Sequence, residues 1–394
     1  VATGRDPRGL VIFIDNKLPL ANPQRSVLIF CRLQKRKSDY RMNITNLDQE
    51  ELMNKRDLLY LSLRNQHLIK KAKRLDIVSE LCGLQAQFAN NPKYALRIRA
   101  SDYDENSCGS GLIKTWTLRG TMHCIRMDEL GLYLSAKGVE REWGDSWWGI
   151  PKEVKPKWAE FILAKVEDGV NDRERLKQCC RSAGMNEDLL SRVFHGWGGL
   201  IKEMSDRGLI AYDFDTKKRF IIPNAPVLID QSLARAIIIG RYFGAYGPAS
   251  VADCSAFTGY GAAEVKRIIR QFNIQLMSIM YDGQEYYYTE RPEERARIPA
   301  CIFLAGFDQL IMGYKDRSRF MDEKNRHKVI TCSGIVHPTI ILNGRVQARW
   351  KMDKNKLLVT PFNMLSKRSR DMIASKGASL FLDRELEIVF NPTC

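Results

Sequence analysis

Gln85 and Gln87 stand one residue apart in Leu-Cys-Gly-Leu-Gln-Ala-Gln-Phe-Ala-Asn-Asn, residues 81–91, at the end of an apolar run. A packed core has no use for two carboxamides. Glutamine is neither an acid nor a base at working pH, so it can only orient a partner, its oxygen accepting and its NH2 donating. Two such side chains serving one spot must point the same way. A helix would set positions 85 and 87 roughly 200° apart, whereas an extended segment puts residues i and i+2 on one face. The pair is therefore expected in an extended or turn-like stretch, with Asn90-Asn91-Pro92 behind it read as a helix that has already ended. On the residues alone, a second assignment stays open, in which both glutamines cap backbone groups between elements.

Other residue patterns offer less chemistry. The ten cysteines include no C-x-x-C pair and form no ligand-like set with the five histidines. They read as reduced core thiols of a cytosolic protein, with no metal and no cofactor expected. A nuclease would need clustered metal-binding carboxylates, and no such set stands out. The formal charge of +16, from 62 basic and 46 acidic residues, is spread along the chain. That suits a polyanionic partner, nucleic acid or a membrane surface. Apolar residues never run unbroken for the ~18 positions of a spanning helix, and even Ala-Arg-Ala-Ile-Ile-Ile-Gly-Arg-Tyr-Phe is interrupted by arginine. Membrane insertion is not expected.

These residues must be held by elements, and 394 residues with 44% apolar content can build several modules. Residues 1–41 differ from the rest, with an isolated Gly-Leu-Val-Ile-Phe-Ile and a basic run leading into Met42. They are read either as an extension upstream of the native start or as a disordered basic arm. From residue 42 the same pattern of helices and hairpin recurs three times, over 42–148, 149–228 and 229–298. In the second copy, helical spacing runs through 151–169, 171–184 and 187–208, followed by alternation around Asp215-Thr216-Lys217. The third places proline near the first turn of its middle helix, in Gly247-Pro248-Ala249-Ser250, and a turn at Asp282-Gly283. Residues 299–394 are short β-rich runs punctuated by Asn343-Gly344. The expected fold is α+β: three tandem winged-helix modules followed by a small C-terminal β-barrel-like domain. Trp143, Trp147 and Trp148 are expected to pack between the first two modules.

Four stretches together carry a resemblance: residues 81–100 with the glutamines, Thr115–Leu130 with Arg-Gly-Thr-Met-His, and the later Leu-Ala-Gly-Phe-Asp-Gln-Leu-Ile-Met-Gly-Tyr-Lys-Asp-Arg and Ile-Leu-Asn-Gly-Arg-Val-Gln-Ala-Arg-Trp-Lys. Over most of residues 45–355 the chain resembles the bacterial winged-helix DNA glycosylases of the AlkZ family. The resemblance implies a monofunctional glycosylase that removes cationic N7- or N3-alkylated purines from double-stranded DNA, in some relatives from interstrand crosslinks. It implies that Gln85 and Gln87 are the catalytic Gln-x-Gln pair; a sister branch carries aspartate at the second position. Arg119, Thr121 and His123 match the Arg-Gly-Thr-x-His segment, while Asp308, Tyr314, Asp316 and Arg317 match positions in the C-terminal domain. DNA contacts are expected from Arg119, Thr121, His123, Arg317 and His337, with no proton-transfer role for the histidine and Asp308 read equally as an ion-pair partner.

Glutamines make sense as catalysts here because an alkylated purine already carries the positive charge that makes it leave. What remains is to orient water below C1′ and tolerate an oxocarbenium-like transition state. The expected protein is a monomer without an obligate protein partner, cytoplasmic and associated with the nucleoid through DNA. The rival assignment is a winged-helix transcriptional regulator without catalysis.

Overall fold

The computed structural model describes residues 53–394 except 141, 146–147, 215–218, 292–296, 384 and 394, together with the backbone of two short paired strands, Gly4–Arg5 and Val11–Ile12. Residues 1–52 and 53–394 form separate units, and the described helices and both five-stranded sheets belong to the second. The readings of residues 1–41, of Trp147 and of the turn at 215–217 lie outside the described residues.

Asn54 opens helix α1 (Lys55–Asn65) with a capping box: its side chain accepts from the N–H groups of Arg56 and Asp57, and the Asp57 carboxylate accepts from the Asn54 N–H. After α2 (Arg74–Glu80) the chain reverses through Cys82 and Gly83, both at positive φ, into strand β1 (Leu84–Gln85). Glycine is required at position 83, because a Cβ there would lie 3.0 Å from Ile125 Cγ2 and 3.1 Å from the Cys124 carbonyl oxygen. Helix α3 (Asn90–Arg99) follows directly. Asn90-Asn91-Pro92 therefore begins a helix instead of following one. Proline is tolerated in a first turn, where its missing N–H has no intrahelical partner to lose. The earlier helix ends at Glu80, so Gln85 lies in a strand and Gln87 in the bend after it, an extended or turn-like stretch as expected.

Strands β2 (Leu112–Trp116) and β3 (Met122–Arg126) form a hairpin, and α4 (Leu130–Lys137) closes this first segment. The second segment has four helices where three were expected: α5 (Lys155–Glu167), α6 (Arg173–Ser182), α7 (Glu187–Val193) and α8 (Gly199–Asp206). The break between α7 and α8 falls at Gly199, whose Cβ would sit 2.1 Å from the Arg192 carbonyl oxygen. Strands β4 (Ala211–Asp213) and β5 (Phe220–Ile221) then join the earlier hairpin in one antiparallel sheet of order β1-β3-β2-β4-β5. The joint pairs Ile113 with Asp213 and Lys114 with Tyr212. Trp143 and Trp148 pack on the apolar cluster of the second segment, Trp143 under the Arg207 guanidinium at 3.9 Å.

The third segment contains α9 (Gln231–Tyr246), α10 (Val251–Thr258), α11 (Ala262–Gln271) and the hairpin β6 (Met277–Tyr281)–β7 (Gln284–Tyr288). Ser250 caps α10 in a box with Asp253, which leaves Pro248 outside the helix it was expected to start. Asp282 and Gly283 both take positive φ, as the tight turn requires.

The C-terminal part comprises β8 (Cys301–Leu304), the short helices α12 (Gln309–Met312) and α13 (Arg326–Val329), β9 (Thr339–Leu342), β10 (Arg345–Asp353), β11 (Lys356–Pro361), α14 (Lys367–Leu380) and β12 (Glu387–Phe390). Its sheet has the order β8-β9-β10-β11-β12 and does not close into the expected barrel. The reason lies in the last connection: β12 runs parallel to β11, which demands a crossover, and α14 supplies it. The apolar run Ala-Ser-Leu-Phe-Leu, read as strand, is in large part the end of that helix. The main core cluster is continuous from α2 through α9 and α10 into this sheet.

Candidate active site

Gln85 is buried in β1, directly opposite His123 of β3, and His123 is opposite Thr115 of β2. Gln87 emerges into solvent two residues later, followed by Phe88, which is 48% exposed with its ring 5.7 Å from Phe307. The pair thus runs from the interior to the surface, with an aromatic ledge beside its outer member. The Gln85 Oε1 atom is buried without a hydrogen-bond partner, and so are His123 Nε2 and Thr115 Oγ1.

His123 Nδ1 lies 3.1 Å from the Thr121 carbonyl oxygen and 2.9 Å from Thr117 Oγ1. Burial, helped by the positive charge of Arg119, pushes its pKa down to about 3. The imidazole is neutral at physiological pH, which fits a structural or hydrogen-bonding part and not a cationic one. Arg119 takes a left-handed conformation at φ 56°, stacks 5.1 Å from the Phe257 ring and donates from Nη1 to the Phe257 carbonyl. Its Nη2 is buried and unbonded, and burial lowers its pKa. Thr121 is half-buried and donates its hydroxyl to the Leu118 carbonyl at 3.1 Å.

A brace from the C-terminal part holds this segment. Phe307 touches Phe88, Gln309 Nε2 donates to the Gly83 carbonyl, and Asp308 pairs with Arg99 at the end of α3. A Cβ on Gly306 would come within 2.7 Å of Asn91 Oδ1, so the two loops are in close contact.

A family model described as DNA glycosylase AlkZ-like matches residues 78–381. The chain belongs to that family. The match starts and ends later than the resemblance over residues 45–355, and it includes both glutamines, the Arg119–His123 segment and the brace. An interstrand DNA cross-link repair glycosylase from Streptomyces sahachiroi is 28% identical over 316 residues, covering 73% of this chain and 84% of the relative. The solved structure of the Streptomyces sahachiroi DNA glycosylase AlkZ superposes with a TM-score of 0.67 at 22% identity, covering 86% of this chain and all of that one. This AlkZ-like protein is accordingly an enzyme, a DNA glycosylase that hydrolyses N-glycosyl bonds.

The remaining expected residues of this AlkZ-like glycosylase are more dispersed. Arg317 is half-buried and donates from Nε to the Ile311 carbonyl at 2.7 Å, and burial lowers its pKa. Asp316 accepts from the Ser318 N–H at 2.8 Å, and Tyr314 is buried, donating its hydroxyl to the Tyr246 carbonyl at 2.7 Å. His337 is half-buried, its pKa lowered by burial and then by Arg349. The exposed tip nearby is Cys332–Ile335, and the carbonyl of Val336 at its base accepts from the Phe307 N–H at 3.1 Å. That bond links the tip to the aromatic ledge beside Gln87. Thr115, Phe88, Phe307 and Gln309 have no role expected from the sequence, although all four lie inside the stretches that carry the resemblance.

Among the described residues no group of His, Cys, Asp and Glu is placed to hold a metal ion, and no helix is long and apolar enough to cross a membrane. Six of the described cysteines are buried, but Cys179 is half-buried and Cys332 is exposed, so not every thiol is a core residue.

Proposed function

We propose that this AlkZ-like glycosylase removes cationic N7- and N3-alkylated purines from double-stranded DNA, with Gln85 and Gln87 orienting the water that attacks C1′. The C1′–N bond breaks with its electron pair going to the departing base, which leaves neutral. The water oxygen bonds C1′ and its surplus proton passes to solvent. No enzyme acid is required, because the leaving group already carries the charge. What supports this reading is the unpartnered Oε1 of Gln85: a capping role would pair that oxygen with a backbone N–H. Gln87 stands at the exposed end, where substrate arrives.

Residues 42–148, 149–228 and 229–298 act on this reading as three winged-helix modules, and 299–394 as the brace. The protein works as a monomer in the cytoplasm, associated with the nucleoid. Arg119, Thr121, Arg317 and His337 line the path of the damaged strand on this reading, and His123, expected among them, is fully buried and acts from behind Gln85. For Arg119 a phosphate contact needs the guanidinium to swing away from Phe257. Crosslinked purines are within the same chemistry, since an N7-linked base is an equally good leaving group; the Streptomyces sahachiroi relative is described by that repair.

Incubation with a duplex bearing one N7-methylguanine, followed by hot alkali, tests the proposal. Strand scission should appear only after alkali, and a matching uracil duplex should stay intact, because uracil needs leaving-group protonation. Intact N7-methylguanine DNA after alkali would overturn it.

A further inference from the structure

Gln85, His123 and Thr115 face one another in a single row across β1, β3 and β2. Directly opposed residues project from the same face of a sheet. The Ala86 N–H donates to the Met122 carbonyl at 2.9 Å, which makes 85 and 123 the closer, non-hydrogen-bonded kind of pair. Each of the three holds one buried polar atom without a partner: Oε1, Nε2 and Oγ1. One such atom is an ordinary imperfection, whereas three in register concentrate an unmet demand for hydrogen bonds at one place.

We propose that Thr115 and His123 are positioning residues that hold a water against Gln85 and thereby fix the angle of its carboxamide. This rests on the proposed role of Gln85. The Thr121 carbonyl can only accept, so its contact with His123 places the proton on Nδ1, which also faces Thr117 Oγ1, and leaves Nε2 as an acceptor. The Thr115 hydroxyl donates to the water oxygen, and the water gives one hydrogen to His123 Nε2 and the other to Gln85 Oε1. A carboxamide oxygen has two lone pairs, so the second still faces the nucleophile. With the imidazole proton on Nδ1 every bond in this relay has one direction, so a flip of the carboxamide would break it. Such a site needs two to four polar partners around a water, and the row provides three.

The test compares Thr115→Val, Thr115→Ser, Gln85→Ala and the Thr115→Val/Gln85→Ala double variant in the full chain. The measurements are melting temperature, affinity for an N7-methylguanine duplex and single-turnover excision. Valine keeps the shape and gives up a single hydrogen bond to the water, so Thr115→Val should melt close to the parental temperature and bind DNA normally. Its excision rate should fall by about tenfold to a hundredfold, as misorientation of a reacting group does. Thr115→Ser should restore the rate, and the double variant should be no slower than Gln85→Ala. If Gln85→Ala is slow while Thr115→Val excises at the parental rate, this inference fails and the proposed function stands. If both excise at the parental rate, the active site itself is misassigned. A slow Thr115→Val that also melts early and is not restored by serine would make Thr115 structural and overturn the inference.

Discussion

Arg99 and Asp308 meet as a fully buried bidentate pair, Nη2 to Oδ1 at 2.6 Å and Nη1 to Oδ2 at 2.9 Å. Further hydrogen bonds hold the pair: Arg99 Nε donates to the Gln66 carbonyl, and Asp308 accepts from the N–H groups of Ala305 and Leu310. The pair fastens the end of α3 to the loop that carries Phe307 and Gln309. Asp308→Ala should therefore cost about 3–5 kcal/mol in urea unfolding, because it strands a buried guanidinium. Replacing both partners, Arg99→Met with Asp308→Leu, should cost less than either single change. A loss below ~1 kcal/mol for Asp308→Ala would show that the pair is not a fastener.

Gln85→Ala and Gln87→Ala should each lower single-turnover excision by roughly a hundredfold, the loss of about 3 kcal/mol at a transition state. Melting temperature and DNA affinity should hold. The double variant should lose less than the product of the two effects if both hold one water. Gln87→Asp places a carboxylate near the cationic sugar and should retain partial activity or shift its preference among adducts. Parental rates in all three single variants would make the glutamines structural.

The depressed pKa of His123 has a stability consequence. The unfolded imidazole takes up a proton below about pH 6.5, while the folded one resists until about pH 3. Its contribution is present above pH 6.5 and declines as pH falls, by up to ~1.4 kcal/mol per unit. Between pH 7 and 5 the protein should lose stability faster than a His123→Gln variant does. Parallel profiles for the two proteins would contradict the burial of a neutral histidine.

Binding to undamaged duplex should be governed by phosphate charge, given the formal +16. Raising salt from about 50 to about 200 mM should weaken it by roughly a thousandfold if six phosphates are contacted. Affinity that barely moves over this range would argue against a long basic footprint.

What the sequence made legible were features with local causes. The extended glutamine segment follows from angular arithmetic on two positions, and the turns at Asp282-Gly283 and Asn343-Gly344 follow from the left-handed backbone that such pairs supply. Pairs set by tertiary register were not visible. Thr115 reads as an ordinary strand threonine until β3 brings His123 opposite it. The misread Asn90-Asn91-Pro92 has a simple cause, since proline suits a first turn as well as an ending. The open C-terminal sheet was hidden because α14 ends in the same apolar residues that a strand would use. Asp308 could be recognised as important but not why: only the structure brings Arg99, 209 positions earlier, against it.

The pairing of Ile113 with Asp213 and of Lys114 with Tyr212 bears on how the chain can be divided. Each hairpin completes the other's hydrogen-bonding edge, so a fragment cut between residues 148 and 149 leaves β2 and β4 each with an open flank, ready to recruit a foreign strand. The apparent repeat is thus not a string of interchangeable beads. Shuffling, deletion or separate expression of the first two segments would trade a closed seam for a self-association hazard.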